Sequence, residues 1–325
     1  MHFSNKLKIG VLGSGSWATA FVDILIYNNT VQWYVHDDIS TKIIQTHTNP
    51  KYLSTYQLNN FVNIKIVTSD LDAVIQNSDI LFICIPAQYI QSLFNRNNIT
   101  KHDLQGKYII SLTKGYIPTY GTVTKYFTDY FDIPEKYLGI ITGPSHAEGV
   151  INKEDTYLTF FGNNIFYKNI IQNLFTNLSY IHIDYCDDNL QSIQYFTIFK
   201  NIYAISCGIF TNISNGDNYK AAFISKVCNE IQNILKNEFN TNIKNFNIPA
   251  YLGDLLVTCY STNSRNYKFG KYIITTNSIN TALQKIGNMH VEGYDSLKYI
   301  HDNHVIHNIQ KYLIFSKLIK KIFIN

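Results

Sequence analysis

Short apolar runs alternate with stretches of helical periodicity along the first half of the chain, the pattern that a sheet of parallel strands covered by helices requires. Lys8–Leu12 reads as a strand, Trp17–Tyr27 as a helix and Val31–His36 as a second strand, which together make one βαβ unit. Further strands are predicted at Ile64–Val67, Ile80–Ile85, Tyr108–Leu112 and Leu138–Ile141, with a hairpin excursion around Leu158–Phe161. These runs are mostly Ile, Val, Leu or Tyr and stop at Pro, Gly or Ser, so both faces of the strands should be buried. From Asp188 onward strand signals fade and helical periods take over, beginning with Leu190–Phe210. No repeat or low-complexity linker intervenes. The expectation is therefore an α/β domain over residues 1–187 and an all-α domain over residues 188–325.

Length agrees with two cores, since 325 residues exceed what one core usually serves. The formal charge of +4 is spread along the chain rather than gathered in basic blocks, which gives no footprint for nucleic acid and suits a small anionic ligand better. Five cysteines (Cys84, Cys186, Cys207, Cys228, Cys259) include no C-x-x-C pair, so neither a disulfide framework nor a metal site is expected, and the compartment should be reducing. Lys6 and Lys8 ahead of an apolar stretch, with Ala18-Thr19-Ala20 after it, imitate a signal peptide. Gly13-Ser14-Gly15-Ser16 interrupts that stretch and makes a better phosphate loop than a hydrophobic region. No uncharged apolar run approaches the roughly 20 residues of a membrane span.

Gly13-x-Gly15-x-x-Ala18 follows a predicted strand and opens a predicted helix, the context that raises this pattern above an ordinary turn. Gly13 permits the tight turn, Gly15 lets a pyrophosphate approach the backbone, and Ala18 permits close packing of helix on strand, while the helix N-terminus receives the anion. His36-Asp37-Asp38 ends the second strand about twenty residues on, where an acid would meet a ribose. Two lysines are out of place in a different way. Lys114, in Thr113-Lys114-Gly115, comes just after a strand, where ligands collect in open α/β sheets. Lys200 interrupts a helix apolar on nearly all sides, and burial there should lower its pKa toward the range of proton exchange; the alternative is a lysine that snorkels to the surface or pairs with a carboxylate. Finally, Ser264-Arg265-Asn266 sets a hydroxyl, a guanidinium and an amide before a helix containing Phe269–Thr276, which suits a phosphate dianion and equally an ordinary helix cap with a surface arginine. Asp254 could hold a lysine or a substrate hydroxyl.

Gly13-Ser14-Gly15-Ser16-Trp17-Ala18, Asn49-Pro50-Lys51-Tyr52-Leu53, Ile85-Pro86-Ala87-Gln88, Lys114-Gly115, Gly143-Pro144-Ser145-His146-Ala147-Glu148, Lys200-Asn201, the segment from Gly253 to Gly270 and Val291-Glu292-Gly293 follow one another as they do in a known family. In this order and spacing the chain resembles the bacterial-type NAD(P)-dependent glycerol-3-phosphate dehydrogenases over nearly its whole length. That resemblance implies a Rossmann-type N-terminal domain, a helical C-terminal domain and an active site between them. It implies NAD(P)H-dependent, reversible reduction of dihydroxyacetone phosphate to sn-glycerol 3-phosphate in the cytoplasm, feeding glycerophospholipid synthesis, with NAD or NADP as cofactor, no metal, and a homodimer as an open expectation. By the same match Lys200 is the proton-transfer residue, with Lys114 as the second cation. Lys114, Gly143, Ser145, Asp254, Ser264, Arg265 and Asn266 fall on substrate positions. Gly13, Gly15, Ser16, Trp17, His36, Lys114, Ala147, Arg265, His290 and Glu292 fall near the cofactor.

The chain also departs from the family pattern. His290 stands where valine is usual, Gln91 and Lys226 replace arginines, Gln194 replaces glutamate, Ser192 and Thr197 replace glycines on the Lys200 helix, and Tyr251 replaces a glycine before Gly253. Crowding of the helices around Lys200 is the expected effect, and a paralogue that binds dinucleotide without turnover is the non-enzymatic rival. A hydroxy-acid dehydrogenase on the same scaffold would need a carboxylate clamp in place of Ser264-Arg265-Asn266. Tyr312–Phe323 alternates basic and apolar residues, as a closing helix or a membrane-surface segment would.

Overall fold

The structure is a computed structural model that describes residues 7–162, 165–211, 216–287 and 290–324. The chain divides into two compact units, one of residues 1–113 and 123–190 and the other of residues 114–122 and 191–325.

The first unit is built on one eight-stranded sheet. In chain order it runs β1 (Ile9–Leu12), α1 (Ser16–Leu25), β2 (Val31–Tyr34), α2 (Asp37–Thr46), β3 (Ile64–Thr68), α3 (Leu71–Gln76), β4 (Ile80–Ile83), α4 (Ala87–Arg96), α5 (Lys101–Leu104) and β5 (Tyr108–Ser111). It continues with α6 (Val123–Phe131), β6 (Leu138–Thr142), α7 (Ala147–Ile151), β7 (Thr156–Gly162), α8 (Ile165–Leu174) and β8 (Ile181–Cys186). The strand order is β3-β2-β1-β4-β5-β6-β7-β8, and the first six strands are parallel. Strands β1, β2, β4 and β6 are buried along their whole length, as their unbroken apolar runs require, with Phe21, Trp33 and Phe82 in the core beside them.

Two features correct the sequence reading. The excursion around Leu158–Phe161 is a full strand of the sheet. It pairs antiparallel with β6 across an intervening helix, so it is no tight hairpin and the sheet is mixed. Strand β8, which that reading does not contain, pairs parallel with β7 at the sheet edge.

Among the described residues the second unit is helical apart from an isolated bridge between Ile117 and Gly121. It comprises α9 (Leu190–Phe210), α10 (Asp217–Glu238), a π-helical turn (Pro249–Gly253), α11 (Asp254–Tyr260), α12 (Arg265–Thr276), α13 (Ile279–Lys285), α14 (Glu292–Asp302) and α15 (Leu313–Ile319), with a second π-helical turn at Lys320–Ile324. Every residue of α9 from Ser192 to Ile209 is buried, as expected of a helix apolar all round. Its polar side chains are satisfied locally: Thr197 Oγ1 donates to the Gln194 carbonyl at 2.8 Å and Ser206 Oγ to that of Tyr203 at 2.7 Å. The substituted positions 192 and 251 accommodate each other. The Ser192 and Tyr251 hydroxyls share a hydrogen bond of 3.3 Å, and the Tyr251 ring packs edge-on against Phe196.

Helices α9 and α12 cross at Gly208 and Gly270. A Cβ at Gly270 would lie 2.2 Å from the Ile205 carbonyl oxygen and one at Gly208 2.2 Å from that of Tyr267, so only glycine permits this approach. Glu230 of α10 holds the start of α15, accepting from the backbone N–H of Ile314 (3.0 Å) and Phe315 (2.7 Å) as a helix N-terminus favours.

Candidate functional site

In the first unit the loop after β1 lies at the carboxyl end of the strand, where the order of the sheet reverses between β1 and β4. Gly13 has φ +138°, and a Cβ there would stand 2.4 Å from the Cys84 carbonyl oxygen, so both conformation and space demand glycine. The indole of Trp33 donates to the Gly13 carbonyl at 2.7 Å and the Gly13 N–H to that of Tyr34 at 3.1 Å, which fixes the turn. Gly15 precedes α1 as its N-cap, and a Cβ there would meet no protein atom within 4 Å. Ser16 and Trp17 begin α1, whose first turn carries no acid, and the Trp17 ring leans on Phe21.

This cradle of backbone N–H groups at a ten-residue helix fits a pyrophosphate. Asn49, fully buried, staples it: its amide donates to the Ser14 carbonyl (2.9 Å) and to Thr19 Oγ1 (2.7 Å), while its oxygen accepts from the N–H of Lys51 and of Tyr52, each at 3.2 Å. Sequence reasoning names the Asn49 motif without giving it this task. His36 is the exposed N-cap of α2, with Nδ1 3.2 Å from Asp38 Oδ1, while the Asp37 side chain lies outside the described residues. Gly143 follows β6, Ser145 Oγ donates to its carbonyl at 3.2 Å, and Ala147 opens α7.

The second unit brings the two lysines together. Lys200 Nζ donates to Asp254 Oδ1 at 2.7 Å and to Thr258 Oγ1 at 2.9 Å, and Lys114 Nζ donates to Asp254 Oδ2 at 3.1 Å. One carboxylate, with 2% of its side chain exposed, thus bridges two ammonium groups. Thr258 sits one helical turn after Asp254 and donates its own proton to the Asp254 carbonyl at 2.5 Å, so it can only accept from the lysine. Lys114 arrives on a nine-residue excursion of the chain, residues 114–122. Tyr116 N–H donates to Ser296 Oγ (3.2 Å), Thr119 N–H to the Tyr299 hydroxyl (2.8 Å) and Thr122 Oγ1 to Gln191 (2.9 Å).

Around this bridge, Asn201 donates to the Lys114 carbonyl and to Glu292 Oε2, each at 3.3 Å, and the Gly293 N–H donates to Asn266 Oδ1 at 3.0 Å. Ser264 caps α12, accepting from the Tyr267 N–H at 3.3 Å, and the exposed Arg265 donates to the His290 carbonyl at 3.2 Å. That carbonyl is main chain, so the usual valine is no requirement at 290.

Charge decides what the cluster can do. Burial pulls Lys200 down to about 8, opposed by Asp254 and reinforced by Lys114. For Asp254 burial pushes the carboxyl up, but Lys114 and Lys200 outweigh it and hold the group below its usual range. Burial raises Glu292, against the pull of Arg265, Lys114 and Lys200. Three cations therefore face two carboxylates, and the balance favours an incoming anion. Thr258 and Asn201 are site residues to which the sequence reading gives no role, although a threonine four residues after Asp254 on a helix is a legible signal. Among the described residues no group of three or more potential metal ligands occurs, and no helix is long and apolar enough to cross a membrane.

The family model described as NAD-dependent glycerol-3-phosphate dehydrogenase N-terminus matches residues 8–165, and its C-terminal counterpart matches residues 189–325. The glycerol-3-phosphate dehydrogenase (NAD(P)+) of Macrococcus caseolyticus is 32% identical over 292 residues, covering 88% of this chain and 85% of its own. That of Lactobacillus acidophilus is 31% identical over 300 residues, covering 91% and 87%. Among solved structures, the Plasmodium falciparum glycerol-3-phosphate dehydrogenase aligns at a TM-score of 0.87 with 25% identity, over 98% of this chain and 92% of its own. The Coxiella burnetii enzyme, at a TM-score of 0.82 and 23% identity over 98% and 99%, shares the fold.

Proposed function

The chain belongs to the NAD-dependent glycerol-3-phosphate dehydrogenase family, and we propose from its own residues how it interconverts dihydroxyacetone phosphate and sn-glycerol 3-phosphate. It is an NAD(P)-dependent oxidoreductase acting on a small phosphorylated substrate. When bound, the reduced nicotinamide supplies the hydride that adds to the C2 carbonyl carbon. Negative charge then grows on the carbonyl oxygen, and Lys200 donates the proton that quenches it. Two of the three ammonium protons are engaged by Asp254 and Thr258 among the described residues, which leaves the third to point at a ligand. Lys114 adds a second positive field to the same oxygen, and Asp254 keeps the two ammonium groups at a fixed spacing.

Arg265 clamps the phosphate with Ser264 and Asn266. Binding energy from the phosphate fixes C2 in place for the chemistry. Gly13, Gly15, Ser16, Trp17, His36 and Ala147 of the first unit hold the dinucleotide. The enzyme works in the cytoplasm as a homodimer and supplies glycerophospholipid synthesis.

The observation that carries this reading is the Lys114–Asp254–Lys200 bridge, with a lysine buried on α9 and held at about 8. A protein that only bound dinucleotide would have no use for so costly a burial. Lys200→Ala should cut kcat by a factor of about 10² to 10⁴, the usual worth of a positioned proton donor, while NADH affinity measured by fluorescence titration stays near that of the wild type. Near-normal turnover in the variant removes the assignment.

A further inference from the structure

The last 23 residues, from Asn303 to Asn325, contain four lysines and no aspartate or glutamate. Within them α15 and the π turn that extends it have two unlike faces. Ile314, Phe315, Leu318, Ile319 and Ile322 are buried in the helical unit, with Phe315 against Phe199 and Tyr203. Leu313, Lys317, Lys320 and Ile324 are exposed, at spacings of four, three and four residues, so they form one stripe down the outer face, with Lys321 half-buried on its flank.

The stripe has cations in the middle and an aliphatic side chain at each end: Leu313 is 62% exposed and Ile324 68%. Nearby carboxylates are committed elsewhere. Glu230 accepts from the backbone of α15 and from Tyr203, Glu238 from Tyr312 and the His307 N–H, and Asp302 pairs with Lys298 and His301. No ion pair among the described residues involves Lys311, Lys317, Lys320 or Lys321.

We propose that this stripe is a docking surface for an anionic lipid bilayer, with Lys317, Lys320 and Lys321 over the headgroups and Leu313 and Ile324 entering the interface. Three ammonium groups uncompensated by carboxylates match a surface of fixed negative charge, and each lysine within a Debye length of such a surface adds attraction. Aliphatic ends favour a bilayer over a nucleic acid, whose single strands would call for exposed aromatic platforms. The attachment is reversible, because one short stripe supplies few apolar contacts. It is independent of the catalytic reading, since none of these residues belongs to the lysine bridge or the phosphate loop.

The test is co-sedimentation of the full chain with vesicles of pure phosphatidylcholine and of phosphatidylcholine with 30 to 40% phosphatidylglycerol (about the anionic content that gives a strong surface potential), at about 20 and 300 mM salt. Binding should appear on the anionic vesicles at low salt and fall at least tenfold at high salt. The combined variant Lys317→Gln, Lys320→Gln, Lys321→Gln should lose it by at least tenfold, and Leu313→Ser with Ile324→Ser should weaken it severalfold. Dehydrogenase activity and Tm close to wild type in both variants show that the fold is intact. Equal binding to neutral vesicles, no binding at low salt, retention by the lysine variant, or equal affinity for a DNA oligonucleotide each overturns the proposal. Loss of catalysis in Lys200→Ala without loss of vesicle binding keeps the two readings apart.

Discussion

Replacing Asp254 by asparagine tests the electrostatic argument more sharply than removing either lysine. The carboxylate lies 2.7 Å from Lys200 and is the cation's main counterweight to burial, and with that counterweight in place the lysine still sits at about 8. At pH 7 a group with that pKa is about 90% protonated and so ready to donate. An asparagine keeps the shape and an acceptor oxygen but removes the charge, leaving only the weaker pull of Glu292 against burial and the neighbouring Lys114. A close opposite charge is worth about 1 to 3 pKa units, so a fall of about 2 units is expected, equivalent to about 2.7 kcal/mol.

Lys200 would then titrate near 6 and be only about 10% protonated at pH 7, a roughly tenfold loss of the donor form before any misplacement of Lys114 is counted. Reduction needs the protonated lysine, so the rate falls as pH rises through the lysine's pKa. The assay is kcat for dihydroxyacetone phosphate reduction with saturating NADH between pH 5.5 and 9.5, a range that brackets both expected values. The descending limb should lie near pH 8 in the wild type and about 2 units lower in the variant. A limb that stays in place while activity drops uniformly would show that Asp254 orients groups without setting the charge of Lys200, and the reasoning would fail.

Arg265→Ala should raise KM for dihydroxyacetone phosphate by roughly 10- to 100-fold and change dinucleotide affinity far less, since a charge-assisted phosphate contact is worth about 1.5 to 3 kcal/mol; equal turnover of unphosphorylated dihydroxyacetone by the wild type would refute the phosphate role. Gly270→Ala puts a methyl group 2.2 Å from the Ile205 carbonyl and should force α12 away from α9, costing about 2 to 3 kcal/mol, or roughly 5 to 10 °C in Tm by calorimetry. An unchanged Tm would mean that the helices do not cross so closely.

The parts of the fold legible in the sequence are those whose signals are local. β1, α1 and β2 can be read because an apolar run, a glycine pair and a second apolar run follow within thirty residues, and α9 because twenty-one residues are apolar on every side. β8 escapes because it is a sheet edge. Ile181, Ile183 and Tyr185 alternate with His182, Asp184 and Cys186, which reads as weak amphipathicity against the solid apolar runs elsewhere.

The site shows the same division. Lys200 stands out because a charge on an apolar helix is conspicuous by itself, whereas its meeting with Lys114 through Asp254 joins positions 54 and 140 residues away from that aspartate. Nothing in the spacing of those residues records such a contact. Asn49 is hidden for a related reason, since a fully buried amide in a polar loop looks like any turn asparagine until its partners Ser14 and Thr19 are seen.

The excursion of residues 114–122 bears on how this enzyme can be cut or recombined. A gene fragment beginning after residue 187 would encode α9 to α15 and still lack Lys114, along with the hydrogen bonds to Ser296, Tyr299 and Gln191 that seat it. The helical half is thus not a portable module: its second ammonium group is on loan from the other half's stretch of chain. Exchanging either half with that of a relative would transplant one lysine into a partner whose tyrosine, serine and glutamine seats evolved elsewhere, and such chimaeras should lose turnover even where both halves fold.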